Sequence, residues 1–146
     1  KNKMLDLIIS KYVTLCEKKN IKFSVDVKTA NLAYVSDSDL STLMNNLLDN
    51  AVEAAERADE RFIQVYIFSK GSMHDGLVIK NSCFVPPETE NGELKTTKDN
   101  KKIHGVGTKS IRKTLKKYDA VYGWKYDENL KVFETDIAFP QKIDIC

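Results

Sequence analysis

Long hydrophobic runs are absent from this sequence of 146 residues. A helix that spans a bilayer needs about 20 consecutive apolar residues, and no stretch comes near that length. The apolar core of a secretory signal peptide is also missing. We therefore expect neither a membrane span nor a leader peptide in these residues.

The sequence has few cysteines and histidines, and its net charge is small. The three cysteines, Cys16, Cys83 and Cys146, include no C-x-x-C pair, which argues against a disulfide framework and fits a reducing compartment. Two histidines, His74 and His104, are too few for a histidine-rich metal site. The 23 basic and 21 acidic residues nearly cancel, so we expect no nucleic-acid-binding surface.

The composition that remains is that of one globular domain. Hydrophobic residues make up 42% and charged residues 30% of the chain, which is typical of folded proteins. A chain of this length buries enough surface to form a core without disulfides or metals. Because it begins with Lys1 rather than Met, we expect it to be a piece of a longer protein.

Hydrophobic periodicity predicts an α+β fold. Apolar residues recur at three- and four-residue steps in three segments, which we predict to be helices: 3–19, 39–58 and 106–118. Alternating patterns predict five strands: 21–27, 61–69, 76–82, 120–127 and 130–139. Between Cys83 and His104 we predict a loop of about 20 residues, and such a loop is usually a lid, a binding loop or disordered. This order predicts a two-layer sandwich, with helices on one face of a mixed, mostly antiparallel sheet.

The second predicted helix carries a polar stripe directly beside its apolar stripe. At about 100° per residue, Asn46 and Asn50 line up with Glu53 and Arg57. The ordinary interpretation is a solvated helix edge. The alternative is that both amides point into a cleft beside the sheet, where a carboxamide oxygen can ligate Mg²⁺. The asparagine pair alone does not decide between the two.

A glycine-containing turn is predicted where the long loop meets the third helix, in the segment H-G-V-G-T-K-S of residues 104–110. Gly105 and Gly107 let the backbone approach a ligand closely, and amides at a helix N-terminus favour phosphate. The spacing is neither that of a P-loop nor that of a Rossmann turn. The basic residues nearby can add charge to such a site or can be ordinary solvated residues: Lys98, His104 and Lys109.

Taken in order, these motifs resemble the ATP-binding catalytic domain of bacterial sensor histidine kinases, within the gyrase, Hsp90, histidine kinase and MutL ATPase superfamily. Residues 46–54, N-L-L-D-N-A-V-E-A, are similar to the N box of that family. Residues 104–112, H-G-V-G-T-K-S-I-R, are similar to its second glycine box. The pattern most resembles the quorum-sensing peptide-receptor kinases. The resemblance covers nearly the whole chain and implies the Bergerat-type ATP-binding fold.

The resemblance also implies a Mg²⁺-ATP site and a domain division. It makes Asn50 the Mg²⁺ ligand and places Asn46 beside it at the phosphates, which the amides of Gly105 and Gly107 cradle. A lid of about residues 84–104 closes over the nucleotide, and the basic residues named above add charge. Residues 1–20 become the end of a helical dimerisation region, and residues 21–146 become the catalytic domain.

Two departures from the family pattern matter. The first glycine box, D-x-G-x-G, is missing, and Asn81 takes the place of its adenine-binding aspartate. An asparagine can still accept a hydrogen bond from the adenine amino group and donate one to the ring. The ATP-hydrolysing relatives carry a general-base glutamate where this chain has Asn46. Without a base for water, phosphoryl transfer to another acceptor is favoured over hydrolysis.

The resemblance further implies partners outside this chain. The acceptor histidine lies on upstream dimerisation helices, the parent protein is a membrane-anchored homodimer with this domain in the cytoplasm, and a response regulator acts downstream. This chain alone is then expected to bind ATP but not to autophosphorylate. Two alternatives stay open: a regulatory or scaffold module with a degenerate nucleotide site, and a serine kinase of the anti-sigma-factor type.

Overall fold

The computed structural model describes residues 2–28, 30, 32–71, 73–90, 93–94 and 101–140, with the backbone path alone at 89–90, 93–94 and 101–108. The helices are α1 (Lys3–Lys18), α2 (Asp37–Glu56) and α3 (Lys101–Lys117). The strands are β1 (Lys22–Val27), β2 (Phe62–Lys70), β3 (His74–Ser82), β4 (Thr89–Glu90), β5 (Glu93–Leu94), β6 (Val121–Asp127) and β7 (Val132–Pro140).

The main sheet has five strands in the order β1-β2-β3-β7-β6. Strands β1 and β2 are parallel, because α2 forms the crossover between them, and the other neighbours are antiparallel. Strands β4 and β5 form a separate small hairpin. His74, expected in a turn, is instead the first residue of β3 and pairs with Lys70 and Pro140. The predicted mixed, mostly antiparallel sheet is confirmed.

The hydrophobic core lies between the helices and one face of the sheet. Alternate residues of β3, such as Leu77 and Ile79, are buried against the apolar stripes of the helices. The residues between them, such as Val78 and Lys80, are only half-buried on the opposite face. The helices therefore cover one face of the sheet, as the periodicity predicts, and we call the other the open face.

Helix α1 packs into this same core. Its apolar stripe, Leu5, Ile8, Tyr12 and Cys16, is buried in one cluster with residues of α2 and the sheet. The predicted boundary at residue 20 therefore coincides with the change from helix to strand and not with a gap in the core. The assignment of residues 1–20 to a dimerisation region stays a prediction.

Helix α3 begins at Lys101, five residues before the predicted start, so the prediction of a glycine turn ahead of the helix is wrong. Gly105 and Gly107 lie inside the first turns instead. Glycine costs about 0.5–1 kcal/mol in a helix, but each added helical residue gains a hydrogen bond, so elongation can pass over an unfavourable residue. The predicted loop of about 20 residues is correspondingly shortened, and the β4–β5 hairpin interrupts it.

No helix in the described part of the chain is both long and apolar enough to cross a membrane. Cys16 and Cys83 are free thiols, and Cys146 lies outside the described residues.

A charged cluster occupies the open face of the sheet. Glu134 and Asp136 point to the same side of β7, and Lys80 and Lys125 lie 3.7 Å and 3.2 Å from the Glu134 carboxylate. Burial raises the pKa of Asp136 to about 6, and the hydrogen bond with Glu134 and its negative charge add to the rise. The folded protein therefore holds the Asp136 proton more tightly than the unfolded chain does.

Removing this carboxyl should stabilise the fold near neutral pH. Because the pKa of Asp136 is raised on folding, wild-type stability falls as pH rises from about 4 to about 6. We expect Asp136→Asn to be more stable than wild type above about pH 6, with the difference vanishing towards pH 4. Urea unfolding across this pH range measures it, with Asp59→Asn as an exposed control. A constant difference across the range would contradict the assignment.

Candidate functional site

Helix α2 carries the two candidate amides on the flank of its buried stripe. It begins at a cap in which the Ser36 hydroxyl accepts from the amide of Asp39 at 3.1 Å. Asp37 and Asp39 in the first turn also suit the positive end of the helix dipole. Asn46 and Asn50 are half-buried, between the buried stripe and solvent. This is the position that the amphipathic pattern predicts.

Hydrogen bonds tie the beginning of α2 to β3 and α3. Tyr34, just before the helix, donates to the carboxylate of Asp75 on β3 at 2.7 Å. Tyr118, just after α3, donates to Asp39 at 2.5 Å, and this bond, followed by one from Lys117, lowers the pKa of Asp39. The beginning of α2, the beginning of β3 and the end of α3 therefore meet at one end of the sandwich, which we call the anchored end.

Asn50 on α2 and Asn81 on β3 lie at similar distances from the anchored end, which we describe as the same level of the sandwich. Asn50 lies 14 residues beyond Ser36, or about 21 Å at the helical rise. Asn81 lies six residues beyond Asp75, or about 20 Å along a strand. The two amides thus lie about equally far from the anchored end, one in the helix layer and one on the sheet beneath it.

The far ends of α2 and α3 reach the same region. Burial raises the pKa of Cys83, just after β3, and the guanidinium of Arg57, at the end of α2, opposes that rise from nearby. Helix α3 packs against α2. Counting back 13 residues from Tyr118 brings the backbone of Gly105 to about 20 Å from the anchored end as well.

Asn81 itself is buried, with 3% of its surface exposed. It lies on the same face of β3 as Leu77 and Ile79, which is the face covered by the helices. Its amide nitrogen donates to the carbonyl oxygen of Ser82 at 3.1 Å. A buried carboxamide is an expensive group to place in a core, so it needs a polar partner.

An aromatic pair beside Asn81 is a feature that the sequence does not predict. Phe133 on β7 lies directly opposite Asn81 and stacks on Trp124 of β6, with ring centroids 5.7 Å apart and planes 16° apart. Both rings are half-buried. Flat aromatic surfaces of this kind can pack against a heterocyclic base. Strand alternation does not predict this pair, because only the sheet register brings Phe133 to Asn81.

The remaining predicted site residues are placed less completely. His104, Gly105 and Gly107 lie in the first two turns of α3. Lys109 is exposed on the same helix. Lys98 lies outside the described residues. The roles assigned to all five stay predictions.

The donor set suits a magnesium ion that arrives with phosphate. Among the described residues, no group of three or more acidic, histidine or cysteine side chains could hold a metal on its own. The carboxamide oxygen of Asn50 is a hard donor, whereas the neighbouring carboxylate of Asp49 accepts a hydrogen bond from Tyr12. Mg²⁺ usually takes one or two protein ligands and completes its shell with phosphates and water. A single amide oxygen fits that pattern.

A concave surface of about 1090 Å³ lies on the open face of the sheet. Lys80, Gln64 and Glu134 are among the outward-facing residues that line it. It is therefore separated from Asn50 and Asn81 by the sheet itself, and it is not the candidate site.

A mixed sheet covered on one face by helices, with paired asparagines on one helix and a buried asparagine on a central strand, is the arrangement of a Bergerat-type sandwich. Residues 36–143 match the GHKL domain family, and the chain belongs to this family of ATP-binding domains. The predicted ATPase superfamily and fold are thus confirmed, and the likeness to the quorum-sensing peptide-receptor kinases stays a prediction. No curated protein is found to match the chain by sequence.

Solved structures of histidine kinases share this fold. The mycobacterial sensor histidine kinase MprB superposes with a TM-score of 0.66 at 16% identity, covering 95% of this chain and 96% of that one. The nucleotide-free catalytic domain of histidine kinase ThkA gives 0.71 at 17% identity, covering 96% and 91%. The blue-light-activated histidine kinase of Erythrobacter litoralis gives 0.68 at 15% identity, covering 93% and 43%.

Proposed function

We propose that this chain is the Mg²⁺-ATP-binding catalytic domain of a sensor histidine kinase in two-component signalling. It would supply the γ-phosphoryl group of ATP to a histidine outside this chain. The observation that carries the proposal is the placement of Asn50 and Asn81 at one level of the helix-covered face. That level holds a hard oxygen donor for Mg²⁺ and a buried amide for a base, which are the two groups that a Mg²⁺-nucleotide site needs.

Each amide has a chemically distinct task in this proposal. The oxygen of Asn50 ligates the Mg²⁺ that bridges the phosphates, and Asn46, one turn earlier, contacts the phosphates. The carboxamide of Asn81 accepts from the adenine amino group and donates to the ring nitrogen beside it. Because Asn81 is 3% exposed, these hydrogen bonds form away from competing water.

The glycine segment can contact phosphate only if α3 opens at its beginning. A helix leaves its first four N–H groups unpaired, and Gly105 and Gly107 lie beyond these four in α3. Their amides become available to phosphate when the first turns unwind. Two glycines make that region the weakest part of the helix, since each costs about 0.5–1 kcal/mol there.

Transfer to an acceptor is favoured over hydrolysis because Asn46 stands one turn before the metal ligand, at the position where the ATP-hydrolysing relatives carry their general-base glutamate. Asn46 has no useful basicity. The nearby carboxylate of Asp49 is on the neighbouring ridge of α2 and is held by Tyr12. These residues can hold and orient the nucleotide, while the nucleophile comes from elsewhere.

The proposal includes the partners that this chemistry needs. His74 lies in a strand and His104 in the glycine segment, so we place the acceptor histidine on dimerisation helices outside this chain. A response regulator would take the phosphoryl group from that histidine. The parent protein would be a membrane-anchored homodimer with this domain in the cytoplasm.

Calorimetry with a non-hydrolysable ATP analogue tests nucleotide binding directly. We expect binding that requires Mg²⁺ and that prefers adenine over guanine. Asn81→Ala should weaken it about tenfold, because a buried base loses its hydrogen-bond partner. Asn81→Asp should keep adenine binding, since the acceptor oxygen remains.

The control is Asn129→Ala, which changes an exposed turn residue and should leave binding unchanged. Absence of both binding heat and thermal shift in the wild-type chain would contradict the proposal and favour a degenerate regulatory module. An acid-stable phosphoserine on the full-length protein, in place of acid-labile phosphohistidine, would favour the serine kinase.

A further inference from the structure

Helices α1 and α2 are joined by a buried tyrosine. Tyr12, in the middle of α1, has no exposed surface. Its phenol oxygen lies 2.6 Å from Oδ1 of Asp49, 3.1 Å from Oδ1 of Asn45 and 3.2 Å from the Asn45 carbonyl oxygen. Lys11 donates to the same Asn45 Oδ1 at 3.0 Å. We call Lys11, Tyr12, Asn45 and Asp49 the α1–α2 polar cluster.

The phenol has one O–H, and it donates this hydrogen bond to the Asp49 carboxylate. The bond to Asp49 is the shortest of the three, and its acceptor is a carboxylate, which makes it a charge-assisted hydrogen bond. Burial, followed by this hydrogen bond, raises the pKa of Tyr12 well above its ordinary value. The phenol therefore stays protonated and keeps its donor throughout the physiological pH range.

The α1–α2 polar cluster and the candidate site share one helix backbone. Asn45 and Asp49 immediately precede Asn46 and Asn50. The two pairs form neighbouring ridges about 100° apart on α2. With a side-chain radius of about 5–6 Å, a rotation of α2 by about 10° would move the tips of Asn46 and Asn50 by about 1 Å. A displacement of that size is enough to spoil the geometry of a phosphoryl-transfer site.

We propose that Tyr12 is a positioning residue, which fixes the rotation of α2 through Asp49 and Asn45 and so sets where Asn46 and Asn50 meet the metal and phosphates. This inference rests on the proposed function. If Tyr12 has this role, α1 is the element through which a structural displacement elsewhere in the protein changes the position of the nucleotide-site side chains. Packing of the buried α2 residues already limits this rotation, and the directional hydrogen bonds of Tyr12 restrict the angle that remains.

The test compares Tyr12→Phe with a matched control, Tyr34→Phe, in this chain. Both changes keep the ring and remove a phenol–carboxylate hydrogen bond, of 2.6 Å to Asp49 in one case and 2.7 Å to Asp75 in the other. We expect Tyr12→Phe to weaken binding of the ATP analogue in Mg²⁺ about tenfold. Binding in EDTA should stay within about twofold for both variants, and Tyr34→Phe should match wild type in Mg²⁺.

A second variant makes the test independent of core stability. Asp49 is exposed, so Asp49→Ala removes the acceptor without disturbing the core, and it should reproduce the loss seen in Tyr12→Phe. The double variant should be no weaker than either single one, because both remove the same interaction. Asp49→Asn, which keeps an acceptor for the phenol, should restore most of the affinity.

Side-chain amide NMR signals of Asn46 and Asn50 report the positioning without nucleotide. We expect them to shift in Tyr12→Phe and to stay unchanged in Tyr34→Phe. If wild type binds the analogue and Tyr12→Phe binds it equally well with unshifted signals, the inference is overturned and the proposed function stands. If wild type binds nothing, the proposed function fails, and shifted signals would still support the link between the helices.

Discussion

Replacing Asn50 with alanine is expected to abolish the Mg²⁺-dependent part of nucleotide binding. The variant loses the only oxygen that we assign to the metal, so affinity for the ATP analogue in Mg²⁺ should fall about 100-fold, towards its value in EDTA. The fold should not suffer, because Asn50 is half-buried and alanine has the higher helix propensity. Calorimetry with and without Mg²⁺ measures the loss, and urea unfolding confirms the intact fold.

Lost Mg²⁺-dependent nucleotide binding together with unchanged stability is the result that identifies Asn50 as a metal-ligating side chain. Asn129→Ala, in the turn between β6 and β7, controls for removing an asparagine. Asn50→Asp retains a hard oxygen and should keep metal-dependent binding. In the full-length protein, phosphoryl transfer at the wild-type rate in Asn50→Ala would show that the metal ligand has been assigned wrongly.

Replacing Phe139 with alanine should cause the largest loss of stability, about 3–5 kcal/mol. The ring is fully buried and contacts Tyr34 and Tyr118 edge to face, with centroids 6.2 Å and 6.4 Å away. Those two tyrosines hold the anchored end of the sandwich. The change would therefore open a cavity and loosen the junction of α2, β3 and α3 together. Chemical unfolding monitored by circular dichroism measures the loss.

Phe84→Ala is the matched control, since that ring is 54% exposed. It should change the free energy of unfolding by less than about 1 kcal/mol. Because domains are stable by only about 5–15 kcal/mol, Phe139→Ala can leave the protein partly unfolded at 25 °C. Equal losses in the two variants would show that the anchored end is not the stabilising junction that the ring contacts indicate.

Periodicity predicted most elements of this fold because burial requires it. A helix beside a core must repeat its apolar residues every three to four positions, and a strand with one buried face must alternate. The predicted start of α3 is wrong for a related reason. Gly105 and Gly107 favour a turn, but a local preference of about 1 kcal/mol does not decide where a helix begins when neighbouring residues continue it.

The candidate site also contains one part that the sequence predicts and one that it does not. The sequence predicts the pairing of Asn46 and Asn50, because they lie four residues apart on one helix and their relation is local. The proximity of Asn81 to Phe133 depends on strand register, and the bond between Tyr12 and Asp49 crosses 37 residues of chain. No spacing rule predicts such contacts.

By itself, the sequence determined the layers of this protein, the helix that carries paired amides and the resemblance to a kinase domain. These properties depend on local periodicity and on short motifs. The tertiary structure alone decided that Asn50 and Asn81 lie at one level, that an aromatic pair adjoins Asn81 and that α1 is hydrogen-bonded to α2. The physical reason is that these relations depend on how separate elements pack, and packing geometry is set by all their buried side chains together.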